Sequence, residues 1–253
     1  MAHTGAPTRR LTVRPLAPLP RSDASELLDG AIDDPAELAE NFRDIQRVNR
    51  LLGGTSTVLR HLPPLLDAVP ADRPATILDL ATGAADIPIA IARWAERHSR
   101  PVRIVASDTS DTILDLARNN VAGHPAIELA RHDARAVPLP DAGVDVVICS
   151  LSLHHFPPDE AVQVLREMGR VARVGFILND LRRSRLGYLA AWIAARVTTR
   201  NRLTRNDAPL SVLRAYTPDE IAGLLADAGI ENARVTTHPW FRMAAVVQRE
   251  ATN

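Results

Sequence analysis

Short apolar runs alternate along the chain with longer segments in which apolar residues recur every three or four positions. The runs cover residues 75–79, 102–107, 127–130, 144–149 and 171–178, and helical spacing fills most of the sequence between them. Such an alternation predicts an α/β fold with a largely parallel sheet. Two further strands, at 233–237 and 243–248, follow a helix that begins at the capping sequence Thr217-Pro218-Asp219-Glu220.

A pair of helices is predicted ahead of the first strand. Asp34 is a typical N-cap and Pro35 fits the first helical turn, and this helix ends at Gly53-Gly54. A second helix covers 55–69, bent or interrupted at Pro63-Pro64. Residues 1–22 are rich in Pro, Ala and Arg, so we expect them to form a flexible leader.

The turn after the first predicted strand has the form of a ligand-binding loop. Asp79 ends the strand, Gly83 lies among small residues, and Asp86 opens the next helix. Small side chains let the backbone approach a ligand, and the helix presents its free N–H groups to it. Because carboxylates stand at both edges and the G-x-G-x-x-G pattern is missing, the turn suits a cationic ligand better than a pyrophosphate.

At these residues the sequence resembles the class I S-adenosylmethionine-dependent methyltransferases. The first motif of that family places an acid and three alternating glycines at the end of the first strand. Asp79 and Gly83 match it, whereas Ala81 and Ala85 stand at the two outer glycine positions. Alanine at the first of these positions is similar to the branch that methylates quinone carbons.

A second stretch strengthens the resemblance. Pro138-Leu139 leads through Val144-Asp145 and an apolar strand to Leu153-His154-His155-Phe156, an order similar to that of the small-molecule methyltransferases. The resemblance implies a doubly wound, Rossmann-like sheet of seven strands, mostly parallel with the last strand antiparallel. It also implies S-adenosyl-L-methionine as cofactor, a helical N-terminal lid over residues 23–70, and a methyltransferase domain over 71–253.

An acid also ends the second predicted strand. Asp108 can accept hydrogen bonds from the two vicinal hydroxyls of a ribose. In the resembling family an Asp after the third strand receives the adenine amino group, and Asp133 stands there, although it could equally form a turn. The predicted cofactor-binding residues are Asp79, Ala81, Thr82, Gly83, Asp86, Asp108, Thr109, Asp133, Ala134 and Ser150.

Further polar residues follow the fourth and fifth predicted strands, at the edge where open α/β sheets bind ligands. His154 or His155 could act as a general base, since imidazole titrates near neutral pH. In the resembling family such a pair often shapes the cofactor pocket instead. Asp180 could orient an acceptor hydroxyl, act as the base or cap the following helix. His154, His155 and Asp180 are therefore the catalytic candidates.

Arginines accumulate in residues 181–216, which the resemblance implies to be a cover over the substrate. We expect a helix, with Leu186, Leu189, Ile193 and Val197 facing inward, followed by a loop. The segment lacks the interleaved aromatics of a nucleic-acid site. A solvated cationic face, or contact with an anionic or phenolic acceptor, explains the arginines better.

Composition narrows the partners and the chemistry. Lys+Arg and Asp+Glu are equal at 30 each, and the chain has no lysine, which excludes Schiff-base chemistry. Cys149 is the single cysteine and fits a reducing compartment. No apolar run approaches the roughly 18 residues of a membrane span. We expect a cytoplasmic protein with a small-molecule acceptor, no nucleic-acid or membrane partner and no metal site.

The predicted function is transfer of a methyl group to a small molecule. O-methylation of a phenol, an enol or a carboxylate of a secondary metabolite is the first hypothesis, and C-methylation of a quinol-like ring is the second. A nicotinamide-dependent oxidoreductase would share Asp108, but the missing glycine pattern and the absence of lysine count against it. A non-catalytic module that binds S-adenosylmethionine is the remaining alternative.

Overall fold

Seven strands form a single sheet in the computed structural model, which describes residues 17–30, 32 and 34–249. The strands are β1 (Ala75–Leu80), β2 (Val102–Asp108), β3 (Ile127–Arg131), β4 (Val144–Ser150), β5 (Ala172–Leu181), β6 (Arg234–His238) and β7 (Arg242–Gln248). Their order across the sheet is β3-β2-β1-β4-β5-β7-β6. β1 to β5 pair in parallel, and β7 inserts antiparallel between β5 and β6. The predicted fold class is confirmed.

Eight helices lie in the described part of the chain and cover the sheet. They are α1 (Pro35–Leu51), α2 (Gly54–Asp67), α3 (Asp86–Arg97), α4 (Asp111–Val121), α5 (Pro158–Val171), α6 (Arg185–Thr198), α7 (Arg202–Arg214) and α8 (Pro218–Asp227). Short 3₁₀ turns occur at Leu27–Asp29 and Leu153–His155. None of the described helices is long and apolar enough to cross a membrane.

The sheet is buried on both faces, which explains why its strands are almost continuously apolar. On one face, Leu165 of α5 and Ile221 of α8 pack in one cluster with Phe176 of β5. On the other face, Leu62 of α2 and Ile91 of α3 belong to a second cluster. The apolar periodicity of these helices therefore identifies the surfaces that they bury.

The predicted helix starts agree with the capping geometry. Asp34 accepts hydrogen bonds from the N–H groups of Ala36 and Glu37, and Thr217 and Glu220 form a reciprocal capping box at α8. The predicted interruption at Pro63-Pro64 was wrong, because α2 continues through both prolines. Buried leucines on either side of the prolines hold this helix against the sheet.

The segment after β5 differs from its prediction in two ways. It forms two helices, α6 and α7, instead of a helix and a loop. The inward orientation expected for Leu186, Leu189, Ile193 and Val197 was also wrong, because all of these side chains are exposed. The buried residues of α6 are the small Gly187 and Ala195. Spacing of three and four residues identifies a face of a helix, but it does not say which face is buried.

Part of the predicted leader is docked on the domain. Residues 1–16 lie outside the described residues. Arg21 donates hydrogen bonds to the carbonyl oxygens of Arg214, at 2.8 Å, and Phe156, at 2.9 Å. The Ser22 N–H donates to the Leu213 carbonyl oxygen at 3.1 Å. Residues 17–22 thus bring the following segment over the sheet edge that contains the site.

Candidate active site

The predicted site residues gather at one edge of the sheet. Asp79, Asp108, Ser150 and Asp180 occupy the last or penultimate positions of β1, β2, β4 and β5. These strands are parallel, so their carboxyl ends meet at the same edge. Polar side chains from four separate parts of the sequence are thereby concentrated where open α/β sheets bind ligands.

The turn between β1 and α3 has an unusual backbone. Ala81, Gly83 and Ala85 have φ angles of 51°, 56° and 61°, all in the left-handed region. A Cβ on Gly83 would lie 3.0 Å from Cε1 of Phe42, whose ring covers the turn from α1. The two alanines that depart from the family motif therefore adopt the conformation for which glycine is favoured.

Asp79 is a deeply buried acid of the site. Its side chain is buried, and Oδ1 has no hydrogen-bond partner among the described residues. Burial is the main reason why the pKa of Asp79 is raised to about 7, and the nearby charges of Asp86 and Asp108 contribute to the rise. A cationic group placed beside this carboxylate would relieve both effects.

Asp108 faces the same turn from the end of β2. One carboxylate oxygen accepts a hydrogen bond from the Gly83 N–H at 3.2 Å, and the other accepts one from the Ser110 N–H at 3.1 Å. Burial raises its pKa, although these backbone hydrogen bonds oppose the rise. The structure thus places Gly83 and Asp108 side by side, as the cofactor prediction requires.

The N-terminal helices contact the opposite border of the turn. The amide nitrogen of Asn49 in α1 donates to Asp86 Oδ2 at 3.0 Å, and Arg242 donates to the Asn49 side-chain oxygen at 3.3 Å. Burial raises the pKa of Asp86, and the Asn49 hydrogen bond opposes this. Residues 34–51 therefore lie against the predicted cofactor loop.

The other predicted cofactor residues have different surroundings. Thr82 is buried, and its hydroxyl has no partner among the described residues, whereas Thr109 is exposed. The side chain of Arg135 pairs with Asp133 at 2.7 Å, and its backbone N–H also donates to Asp133. This is the geometry of a turn-forming Asp, the alternative to adenine binding. Ala134 is buried next to this turn. Ser150 Oγ accepts a hydrogen bond from the Asn179 amide at 2.8 Å.

A buried imidazole–carboxylate pair joins the ends of β4 and β5. Nδ1 of His154 lies 2.7 Å from Oδ1 of Asp180, and the His154 backbone N–H donates to Oδ2 at 3.1 Å. The side chains are 3% and 2% exposed, so solvent hardly screens their interaction. Burial acts to raise the pKa of Asp180, but His154 outweighs it and lowers the pKa overall. The carboxylate therefore accepts from Nδ1, and Nε2 of His154 faces Glu26.

Glu26 lies opposite both imidazoles. Its Oε1 is 3.8 Å from Nε2 of His154 and its Oε2 is 3.9 Å from Nε2 of His155. Nδ1 of His155 lies 2.7 Å from Asp29 Oδ1, so both histidines are oriented by a carboxylate on the other side. Burial raises the pKa of Glu26 to about 7, against the lowering effects of His155, Ser211 and Arg214.

The surroundings of Glu26 disfavour the binding of a metal ion. Glu26, His154 and His155 place ligand atoms within 4.8 Å of one another, a group found among the described residues. However, Arg214 brings a guanidinium nitrogen to 3.9 Å from Glu26 Oε1, and the Ser211 hydroxyl donates to that oxygen at 2.9 Å. A neighbouring positive charge and an occupied oxygen both oppose a cation.

Two arginines of the 181–216 segment form ion pairs and hydrogen bonds within the protein. Arg214 pairs with Asp29 and donates to the carbonyl oxygen of His155 at 2.8 Å. Arg183 is buried, donates to the Ala215 carbonyl oxygen and pairs with Glu220. These two side chains shape the site and are not free to hold an anionic acceptor.

A sequence model of the methyltransferase-domain family matches residues 77–175, which include the turn at Gly83 and the His154–His155 pair. A demethylmenaquinone methyltransferase of Lysinibacillus sphaericus is 34% identical over 98 residues, covering 39% of this chain and 40% of that protein. A release factor glutamine methyltransferase of Mycobacterium tuberculosis is 37% identical over 89 residues, covering 34% and 28%. The chain thus spans less than half the length of these curated relatives.

Solved structures agree with this assignment at the level of the fold. An S-adenosylmethionine-dependent methyltransferase from Aquifex aeolicus superposes with a TM-score of 0.57 at 20% identity, covering 85% of this chain and 98% of that one. Human N-acetylserotonin methyltransferase in complex with S-adenosylmethionine gives 0.62 at 15% identity, covering 85% and 56%. Residues 77–175 thus match a methyltransferase domain, and the sheet as a whole has the fold of the S-adenosylmethionine-dependent methyltransferases. The cofactor of such a domain is S-adenosyl-L-methionine.

The turn of the methyltransferase domain fits this cofactor on two observations. Asp79 Oδ1 and the Thr82 hydroxyl are buried polar atoms with no partner among the described residues, and a polar ligand would offer them one. The acids around the turn suit a ligand with a sulfonium and an ammonium group. Asp79, Gly83 and Asp108 are the residues that would hold it.

Sequence reasoning missed Glu26 and Asp29 of the candidate active site. Both lie in a short segment without a regular apolar period, and neither belongs to a motif. The spacing of Glu26 and Asp29 signals only a local capping box, which the structure also contains. Their contacts with His154 and His155 arise from the tertiary fold, because residues 17–30 pack beside α7.

Proposed function

We propose that this chain transfers a methyl group from S-adenosylmethionine to an oxygen of a small-molecule acceptor. The acceptor would be a phenol, an enol or a carboxylate of a secondary metabolite. The buried His154–Asp180 pair carries this proposal. A phenol or an enol must give up its proton to become a good nucleophile, and an imidazole oriented by a carboxylate is suited to accept it.

The cofactor end of the site needs little chemistry from the protein. S-adenosylmethionine supplies an activated methyl group on a sulfonium when it is bound. Asp108 would accept hydrogen bonds from the ribose hydroxyls, and the turn around Gly83 would hold the ligand in position. Holding the reacting atoms in line can contribute on the order of 7–11 kcal/mol to the acceleration.

The acceptor end depends on the environment of His154. Asp180 fixes the tautomer, so that the lone pair of Nε2 points toward Glu26. Because His154 is only 3% exposed, an acceptor can reach Nε2 only when the segment that carries Glu26 moves aside. We therefore assign residues 17–30 a part in opening and closing the acceptor site, together with the helical lid over 23–70.

A second candidate is C-methylation of a quinol-like ring. The similarity to demethylmenaquinone methyltransferases favours it, and alanine at position 81 agrees with it. The same base serves this reaction, because removal of a phenolic proton also raises the electron density of the ring carbons. The two reactions therefore differ in the acceptor and not in the role of His154.

The test combines an acceptor panel with two variants. Purified protein is incubated with S-adenosylmethionine carrying a labelled methyl group and a panel of phenols, carboxylates and quinols, and products are identified by mass spectrometry and NMR. We expect His154→Gln to reduce turnover about a hundredfold or more while cofactor affinity is retained. His98→Gln, at an exposed histidine on the far end of α3, is the matched control and should keep full activity.

The outcomes separate the alternatives. A methyl group found on carbon would favour the quinol reaction, and one found on oxygen would support the first proposal. Tight cofactor binding without any methylated product from the panel or from a metabolite extract would favour the non-catalytic module. Full activity of His154→Gln on a phenol would remove the proposed base.

A further inference from the structure

The outer surface of α6 is apolar, which is unusual for a helix at the protein surface. Leu186, Leu189, Ile193 and Val197 are 70%, 51%, 46% and 75% exposed. They are spaced three or four residues apart and so form one stripe, which we call the α6 stripe. The helix contacts α7, and its buried residues are the small Gly187, which lies against Phe241, and Ala195. Its large apolar side chains are thus turned away from the protein.

The charged residues of the segment that carries the α6 stripe all have one sign. Residues 181–206 contain no Asp or Glu, and the exposed arginines there are Arg185, Arg196, Arg200, Arg202 and Arg205. Arg202 pairs with Glu37, but Arg185, Arg196 and Arg200 form no ion pair with a described carboxylate. Glu40 and Asp44 are the acids that face this end from α1, across a cleft of about 610 Å³ that also contains Arg43 and Arg47.

An aromatic residue lies at the border between the stripe and the arginines. Trp192 is 40% exposed, and the guanidinium of Arg196 stacks over its ring at 3.9 Å. Tryptophan and arginine side by side at the edge of an apolar surface are characteristic of helices that lie in the interfacial region of a bilayer.

We propose that α6 binds the surface of an anionic lipid membrane, with the α6 stripe inserted among the acyl chains and the arginines on the phosphate groups. An apolar stripe alone could also bind a second copy of the chain. A two-fold contact through α6 would bring Arg185 and Arg196 of both copies together, and their repulsion opposes it. An anionic lipid surface satisfies the apolar and the cationic parts at once. The inference does not depend on the proposed reaction, and it revises the expectation of no membrane partner.

The test is co-sedimentation of the full chain with vesicles, without cofactor or acceptor. We expect the protein to pellet with vesicles of equal phosphatidylglycerol and phosphatidylcholine, and at least tenfold less with pure phosphatidylcholine. Raising the salt from 50 to 500 mM should weaken binding, because the arginine contribution is screened. Arg185→Gln with Arg196→Gln should weaken it roughly fivefold for each arginine removed.

The stripe itself is tested by Ile193→Asp combined with Val197→Asp. Both residues are exposed, so thermal melting should be unchanged, while vesicle binding should fall at least tenfold. Leu51→Asp, at a 61% exposed leucine of α1, is the matched control and should bind as the parent does. The tryptophan emission of the parent should shift to the blue on binding, and Trp192→Phe should lose that shift.

Three results would overturn the proposal. The parent protein could fail to pellet with anionic vesicles, or the stripe variant could pellet as well as the parent. Sedimentation velocity could instead show a dimer of the parent that Ile193→Asp with Val197→Asp dissociates, which would assign the stripe to self-association. Loss of methyl transfer with intact vesicle binding would contradict only the proposed reaction.

Discussion

At the scale of single residues, the cofactor turn contains two alanines in a conformation that disfavours a Cβ. Ala81 and Ala85 have φ angles of 51° and 61°, and left-handed backbone costs a non-glycine residue roughly 1–2 kcal/mol. Glycine would avoid this strain, which is the physical reason for glycine in the family motif. The two alanines therefore keep the shape of the turn and add backbone strain to it.

This gives a prediction for Ala81, the less buried of the two. Ala81→Gly should raise the free energy of unfolding by up to about 1 kcal/mol, because the relief of strain exceeds the added freedom of the unfolded chain. Ala90→Gly, in the middle of α3, is the control and should lower it by about 1 kcal/mol. Urea unfolding of the three proteins measures both. Destabilisation of equal size in both variants would contradict the account of the turn.

The buried carboxyl of Asp79 makes stability depend on pH. Its pKa is raised from 3.8 to about 7, so the protonated form is favoured in the folded protein. Its contribution is fully present below pH 4 and is lost as the pH rises through about 7. Asp79→Asn has no carboxyl to ionise at this position. Between pH 5 and pH 8 the free energy of unfolding of the cofactor-free parent should therefore fall by roughly 1–3 kcal/mol more than that of the variant.

Urea unfolding at pH 5 and pH 8 measures the difference. Asp67→Asn, at an exposed acid at the end of α2, is the control and should follow the parent at both pH values. If Asp79→Asn also followed the parent, the carboxylate would not be desolvated as described.

Residues that end strands could be predicted from the sequence, and their partners could not. Asp79, Asp108 and Asp180 follow apolar runs, so the pattern itself assigns them to the sheet edge. The pairing of His154 with Asp180 depends on the register of β4 against β5, which no local pattern encodes. Glu26 reaches the same centre only through tertiary contacts of residues 17–30.

At the scale of elements, one buried acid joins the beginnings of three strands. Asp145 of β4 accepts hydrogen bonds from Arg73, at 2.6 and 2.7 Å, from Thr76 of β1 and from Arg173 of β5. Burial alone would raise the pKa of Asp145, but these hydrogen bonds outweigh it and hold the pKa well below its usual range. The edge of the sheet opposite the active site is fixed by this cluster.

Asp145→Asn should lower the free energy of unfolding at pH 7 by about 2–4 kcal/mol, because it leaves the arginines without their buried acceptor. The stabilisation is present above pH 4 and is lost as the pH falls further, so parent and variant should converge in acid. Asp141→Asn breaks an exposed pair with Arg170 and should cost under about 1 kcal/mol. If urea unfolding at pH 7 showed the same loss of unfolding free energy for both variants, the buried cluster would not stabilise the sheet more than an exposed ion pair does.

The helices show where pattern reasoning succeeds and where it fails. α3 and α5 bury the faces that their apolar spacing predicts, because each lies between the sheet and solvent. α6 does not lie on the sheet, so no sheet surface covers its apolar face. The same periodic signal then describes an exposed stripe, which only the structure could show.

At the scale of the whole molecule, the sheet topology explains how one site is assembled from distant residues. Parallel strands bring the ends of β1, β2, β4 and β5 to one edge, and the antiparallel β7 leaves that edge unchanged. The family resemblance was sufficient to predict a seven-stranded, mostly parallel sheet. The arrangement of α1, α6, α7 and residues 17–30 over the edge was not predictable, because it depends on contacts between helices.

The account rests on a single ligand bound between the turn at Gly83 and the carboxylate of Asp108. Isothermal titration of S-adenosylmethionine into the purified chain tests it most directly. We predict binding of one equivalent, weakened at least tenfold by Asp108→Ala and unchanged by Asp115→Ala, at an exposed acid of α4 that pairs with Arg118. Absence of binding to the parent chain, or equal affinity of Asp108→Ala, would contradict the account.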